Sequence, residues 1–70
     1  MQYTIIIENG GANFSAYVPD LPGCVATGQT IEEVTNNMRE AIEFHLDGMR
    51  EDGLEIPNPS IQAAVVEVAA

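Results

Sequence analysis

Cysteine and histidine are almost absent from this sequence, since its 70 residues include one of each, Cys24 and His45. A disulfide within the chain needs two cysteines, and a closed structural zinc site needs about four ligands of the Cys and His type. Neither form of reinforcement is available within one chain. Because a chain of this size buries only roughly 60% of the surface that its unfolded state exposes, we expect a homodimer or larger assembly, or a bound partner.

Basic residues and long apolar runs are also scarce. Arg39 and Arg50 stand against 11 acidic residues, which gives a net charge of −9. This charge repels phosphate backbones and argues against direct nucleic-acid binding, while a basic partner is its natural complement; it also serves solubility alone. No apolar run approaches the about 20 residues of a membrane span, and no signal peptide begins the chain. We therefore expect a cytoplasmic protein without membrane contact.

Three segments in the first part of the chain have the pattern of strands. Residues 2–8, QYTIIIE, are rich in β-branched side chains and precede Asn9-Gly10-Gly11, which suits a hairpin turn. Residues 13–18, NFSAYV, alternate between apolar and polar side chains, and residues 24–28, CVATG, form the third predicted strand. The sequence therefore predicts an antiparallel three-strand meander.

The second and third strands are joined by "VPDLPGC", residues 18 to 24. Pro19 and Pro22 lack a backbone N–H and fix φ, so neither suits the interior of a central strand. The result is a stiff corner. It serves either as a plain connection or as a rigid loop that loses little entropy when a partner docks on it.

A long helix follows the third strand. Thr30 and Glu33 have the spacing of a capping box, and apolar residues then recur at helical spacing until Gly53, which suits the position after a helix end. The predicted helix spans roughly residues 31–52. After a proline-marked loop at residues 54–60, residues 62–68, QAAVVEV, are predicted to form a last strand.

The predicted fold is α+β, in the order β-β-β-α-β, with one domain over residues 1–70 and the helix packed on one face of the sheet. The more apolar set of strand residues is expected to face the helix: Ile5, Ile7, Phe14 and Val18. The opposite face is expected to carry a mixed, partly apolar surface of the kind that often binds partners, made of Thr4, Ile6, Ser15, Tyr17, Val25 and Thr27.

Residues for catalysis are hard to find. His45 lies in the apolar stripe of the helix and is best explained by packing, and Cys24 is expected to be a small buried residue. A metal-dependent nuclease needs converging carboxylates, but the interiors of the predicted strands contain none. We therefore expect no catalytic residue, no metal ligand, no cofactor and no enzyme activity.

The predicted solvent face of the helix is strongly acidic. Like charges four residues apart, such as Glu43 and Asp47, cost a few tenths of a kcal/mol each, and the acids near the helix C-terminus oppose its dipole. Such violations of local rules occur where a surface has a function, although a solvated face explains them equally well. The stripe consists of Glu33, Glu40, Asp47 and Glu51, with Glu43 beside it and Phe44 at its edge.

The run YVPDLPGCVATGQTIEEVTNNMREAIEFHL resembles the signature of HicB-type antitoxins, and the resemblance extends from the first strand to the IPNPS segment. The matching residues are Tyr17, Pro19, Asp20, Leu21, Pro22, Gly23, Cys24, Gly28, Thr30, Glu33, Ala41, Ile42, Gly53 and Pro57. The sequence departs from the common pattern at Gln29, where the family often has an acid, and at Val34, where it usually has alanine.

The resemblance implies a β-β-β-α-β domain like a truncated ribonuclease H without its catalytic carboxylates. It also implies a partner, a small basic HicA-type toxin that cleaves messenger RNA and whose active surface the antitoxin covers. Many family members carry a C-terminal DNA-binding segment, and since this sequence stops at Ala70 we expect none here.

The leading hypothesis is thus an antitoxin that neutralises a HicA-type toxin by direct contact. A solitary homo-oligomeric structural or adaptor module is the alternative, and residual metal-dependent phosphodiesterase activity is a third. The candidate partner contacts are Tyr17, Asp20, Leu21, Glu40, Glu43, Phe44 and Asp47.

Overall fold

The computed structural model describes residues 1–69, in which three strands are followed by one long helix. The strands form one antiparallel sheet in which each strand pairs with the next along the chain. The predicted α+β class, meander and helix are confirmed. The elements are β1 (Ile6–Asn9), β2 (Phe14–Tyr17), β3 (Val25–Gly28) and α1 (Ile31–Glu51).

The first strand is shorter than the predicted span of residues 2–8. The register pairs Ile6 with Tyr17, the last residue of β2. Beyond Tyr17 the chain enters the proline corner, so residues 2–5 have no strand opposite them on that side. Their β-branched side chains favour strand geometry, but a ladder also needs a partner, and the partner ends first.

The helix begins and ends at the predicted signals. Thr30 is the N-cap, and its hydroxyl accepts a hydrogen bond of 3.0 Å from the Glu33 N–H. The Glu33 carboxylate accepts from the Gln29 N–H at 2.9 Å, one residue before the cap. At the other end Gly53 has φ +70°, and the Leu54 N–H donates to the Met49 carbonyl at 2.9 Å, which closes the helix in a Schellman motif.

The core lies between the sheet and α1. Val34 and Met38 are the helix residues at its centre, and they are essentially inaccessible to solvent. Each fully buried side chain of this size contributes about 1.5–3 kcal/mol. The predicted helix-facing set of strand residues is confirmed, because Ile5, Ile7, Phe14 and Val18 all belong to this core or pack against it.

The proline corner contributes to the core as well as turning the chain. Two tight turns, in which Leu21 N–H donates to the Val18 carbonyl and Cys24 N–H donates to the Leu21 carbonyl at 3.1 Å each, place these three residues on one side. Val18, Leu21 and Cys24 are all buried. The expectation that Cys24 is a small buried residue is confirmed, and the stiffness of the corner serves to close one end of the core.

The predicted last strand is wrong for this structure. Within residues 1–69, the segment 62–68 forms neither strand nor helix, and its residues are exposed. A strand needs a neighbour to which its backbone can bond, and β1 pairs with β2 alone among the described strands. High β propensity in this segment is therefore not matched by a partner within the described chain.

Candidate functional site

The acidic stripe is the first candidate surface, and the structure places it on the solvent side of α1. With 3.6 residues per turn, Glu40 and Asp47 lie opposite Val34 and Met38, which face the sheet. The five exposed residues of this patch are called the acidic face of α1 below. They are Glu40, Glu43, Phe44, Asp47 and Glu51.

Phe44 is the unusual member of the acidic face, because 83% of this large apolar residue is exposed. Its neighbours one turn away along the helix include Glu40, Asp47 and Gly48, so the ring is surrounded by charged and small residues. An exposed aromatic ring contributes nothing to the core of this chain. Aromatic residues of this kind commonly anchor protein interfaces.

The charges of the acidic face are only weakly compensated. Arg50 pairs with Asp47 at 3.1 Å, but both side chains are more than half exposed, at 57% and 72%. Surface pairs of this type contribute about 0–1 kcal/mol and are screened by salt. Arg39, the other arginine, donates instead to the Asn36 side chain at 3.0 Å. The face therefore keeps a negative field that a cationic surface would neutralise.

Asp20, at the tip of the proline corner, binds a distant part of the chain. Its carboxylate accepts hydrogen bonds from the Ser60 hydroxyl at 2.5 Å, the Ser60 N–H at 2.9 Å and the Ile61 N–H at 3.3 Å. These hydrogen bonds, chiefly that of the Ser60 hydroxyl, lower the pKa of Asp20 below its usual value of 3.8. Asp20 therefore fastens the segment after the helix to the corner.

The remaining predicted contacts are not brought together with the acidic face. Tyr17 is 41% exposed and pairs with Ile6 and Val25, on the sheet face that points away from α1. Leu21 is only 1% exposed and lies in the core, so its side chain is not offered to a partner. The candidate residues thus divide between a sheet face, a buried corner and a helix face.

The outer face of the sheet is a second exposed surface. It forms a shallow hollow in which apolar and polar side chains mix, as the sequence pattern predicts. Val25 is its most exposed large apolar residue, at 64%. The residues around the hollow are Glu8, Ser15, Ala16, Tyr17, Val25, Ala26 and Thr27.

Sequence reasoning missed the hydrogen bonds between Asp20 and Ser60. The two residues are 40 positions apart, and no local pattern marks such a pair. In residues 1–69 no group of three or more His, Cys, Asp and Glu side chains is placed to hold a metal ion. The described part of the chain also contains no helix that is both long and apolar enough to cross a membrane.

Comparison with known proteins decides the family. The model of the family described as the HicB-like antitoxin of a bacterial toxin-antitoxin system matches residues 3–69. The chain belongs to this antitoxin family. The resemblance carried by the VPDLPGC motif is therefore confirmed.

Relatives of this HicB-like chain include proteins of bacteria, archaea and a phage. It is 46% identical over 57 residues to an uncharacterised 14.9 kDa protein of Haemophilus phage HP1, covering 81% of this chain and 43% of that protein. It is 31% identical to a UPF0150 protein of Thermoplasma acidophilum, covering 94% of this chain and 97% of that protein. Antitoxin HicB 2 of Photorhabdus laumondii is 34% identical, with 100% of this chain and 51% of that protein covered.

A solved structure supports the same family assignment. A chain of the structure described as the HicA3 and HicB3 toxin-antitoxin complex superposes with a TM-score of 0.73 and 30% identity. The match covers 86% of this chain and 70% of that chain. The HicB-like chain spans less than half of the phage relative and about half of HicB 2, while it matches nearly the whole of the archaeal protein.

Proposed function

We propose that this HicB-like chain binds a small basic toxin of the HicA type and thereby blocks its cleavage of messenger RNA. The acidic face of α1 is the proposed contact surface, and Phe44 is its centre. The observation that carries the proposal is the exposure of Phe44 among carboxylates that have little compensation. In this proposal the chain acts in the cytoplasm by binding and performs no catalysis itself.

Charge complementarity supports the binding of this chain to a basic toxin. A surface that holds RNA must present positive charge to the phosphate backbone, and a net charge of −9 on the antitoxin complements it. Such complementarity raises the association rate and favours the correct partner more than it raises affinity. The same charge opposes nucleic-acid binding by this chain, so we propose that the chain does not itself contact RNA or DNA.

The ring of Phe44 supplies binding affinity that exposed charges alone do not provide. Exposed carboxylates lose hydration when they are buried, and rim charges contribute little to affinity. A central aromatic side chain surrounded by polar residues has the arrangement of an interface hot spot, in which truncation to alanine costs more than about 1 kcal/mol. We expect Phe44→Ala to weaken toxin binding by about tenfold, which corresponds to about 1.4 kcal/mol.

The test is an RNA-cleavage assay with the purified HicA-type toxin of the same organism, titrated with this chain. We expect cleavage to stop near equimolar antitoxin. Replacement of both Glu40 and Asp47 by lysine should weaken inhibition at least tenfold at low salt and less at high salt. If neither the substitutions nor salt changes the inhibition, the acidic face is not part of the interface.

A matched control separates local charge from net charge. Glu8 lies on the outer sheet face and Glu67 lies in the C-terminal segment, and both are exposed. Glu8→Lys with Glu67→Lys changes the net charge by the same amount as Glu40→Lys with Asp47→Lys. Equal loss of inhibition in both double variants would show that overall charge, and not the acidic face, determines binding. Undiminished cleavage at excess wild-type chain would contradict the antitoxin proposal itself.

The second candidate function is a solitary homo-oligomeric module without a toxin. It is favoured by the exposed apolar side chains beyond the helix, of which Val66 and Val68 are 76% and 74% exposed. Self-association and toxin binding use different surfaces and are compatible. The two functions differ in one result, because a solitary module leaves RNA cleavage unchanged.

A further inference from the structure

The C-terminal segment is the largest feature that toxin binding does not explain. Residues 62–68, called the C-terminal arm here, are all exposed. Five of the seven side chains are alanine or valine, and Val65 is fully exposed, at 102%. A surface of this kind usually marks a contact with another chain.

The arm leaves the folded body at a fixed place. Besides the hydrogen bonds from Ser60 and Ile61 to Asp20, the Thr4 hydroxyl donates to the Ile61 carbonyl at 2.8 Å, and the Tyr3 hydroxyl donates to the Pro57 carbonyl. Thr4 lies two residues before the first residue of β1. The root of the arm is therefore held near the start of β1, and the arm itself begins one position later.

The edge of β1 is the matching feature on the body. In the described residues β1 pairs with β2 on one side and with no strand on the other. An open edge that carries Ile6 and Ile7 is a template for a further strand, and natural proteins usually block such edges with charge or cover them. Residues 1–7 contain no charged side chain, and neither do residues 56–66. The edge and the arm therefore carry little charge for a strongly acidic protein, with Glu8 in β1 and Glu67 in the arm as their charged side chains.

The exposed area of the chain exceeds that of a compact monomer. A folded monomer of 7.5 kDa exposes about 4,200 Å² by the usual scaling with mass, whereas this chain exposes 5337 Å². The excess of roughly 1,100 Å² exceeds the roughly 800 Å² that each partner contributes to a standard interface. The radius of gyration of 13.8 Å is likewise larger than the about 11 Å expected for 70 residues.

We propose that the arm of one copy adds as a strand to the free edge of β1 in a second copy. A two-fold arrangement uses both arms and both edges, so each copy gives and receives the same contact. Main-chain hydrogen bonds supply the pairing, and the exposed valines become covered. The second copy is favoured over the toxin as occupant because the arm carries a single charge, Glu67, and offers little to a basic surface.

Salt dependence separates this contact from toxin binding. Two chains of charge −9 repel each other, so added salt strengthens the dimer by screening the repulsion. Toxin binding has the opposite dependence, because salt weakens the attraction between opposite charges. The proposal is independent of the toxin, and it holds or fails for the isolated chain.

The experiment is sedimentation equilibrium of the full chain, with Val66→Pro as the test variant and Val66→Thr as the matched control. Proline removes a backbone N–H and blocks strand pairing, whereas threonine keeps the N–H and a β-branched shape. Neither change touches the core, since Val66 is exposed. We expect a dimer for the wild type and for Val66→Thr, and a dissociation constant at least tenfold higher for Val66→Pro.

Placement of the arm is read by NMR in a mixture of isotope-labelled and unlabelled chains. We expect intermolecular contacts between arm amides of one copy and residues Ile6–Glu8 of the other. A monomer at 0.1 mM and physiological salt, at about 0.15 M ionic strength, would overturn the proposal, as would a dimer unaffected by Val66→Pro. Val66→Pro should leave inhibition of RNA cleavage unchanged, so loss of the dimer and loss of toxin binding are distinguished.

Discussion

Gly28 joins the sheet to the helix, and its replacement by alanine gives a sharp test of that junction. A Cβ atom at Gly28 would lie 2.6 Å from the Val34 nitrogen and 2.8 Å from the Val34 Cα, where ordinary contacts are 3.4–4 Å. The neighbouring atoms belong to the helix backbone, so no side chain can rotate away. The first turn of α1 must therefore shift away from Gly28, and this turn also holds the cap at Thr30.

Overpacking of this kind costs about 1–3 kcal/mol or more. For a domain of this size each kcal/mol of lost stability lowers the Tm by about 4–8 °C. The Tm of Gly28→Ala should therefore be at least about 4 °C below that of the wild type. Gly48→Ala is the matched control, because Gly48 lies within α1 with open space around it. There alanine should stabilise the chain by about 0.5–1 kcal/mol. Thermal and urea unfolding measure the stability of both variants. A Gly28→Ala variant as stable as the wild type would refute the packing argument.

Three further predictions concern the cap, the corner and the thiol. Thr30→Ala removes the hydroxyl that accepts from Glu33 and should cost about 1 kcal/mol in urea unfolding; no loss would show that the cap is dispensable. The pKa of Asp20 in the folded chain is lower than its usual value of 3.8. The ionised carboxylate therefore stabilises the fold at pH values above 3.8, and this stabilisation is lost as the pH falls through the lowered pKa. The Ser60 amide signal should therefore shift as the pH falls below the usual value of 3.8, and Asp20→Asn should abolish this shift. Persistence of the shift in that variant would count against this assignment. Burial raises the pKa of Cys24, so its reaction with a thiol reagent should be slow until urea unfolds the chain, and rapid labelling of the folded chain would contradict this.

Local signals account for most of the fold that the sequence predicted correctly. The capping box at Thr30 and the glycine at residue 53 fix the helix within one residue of its predicted end, because both act through backbone groups a few positions away. The alternation in residues 13–18 identifies the buried side of the sheet for the same reason. Features of this kind need no knowledge of the rest of the chain.

Features that depend on contacts between distant parts of the chain could not be predicted in the same way. The first strand is shortened because β2 ends at Tyr17, and the last strand is absent from the described residues because its propensity finds no neighbouring edge. Leu21 is a predicted partner contact, but the two turns of the corner direct its side chain into the core. The carboxylate of Asp20 meets Ser60 across 40 residues, a pairing that only tertiary structure sets.

The central claim is tested most directly by NMR of the isotope-labelled chain as the HicA-type toxin is added. A chain of 70 residues suits this measurement well. We expect small changes on the outer sheet face around Val25 and the largest changes on the acidic face of α1, at Glu40, Glu43, Phe44 and Asp47. Changes centred on Tyr17 and Val25 with an unaffected helix, or no changes at all, would contradict it.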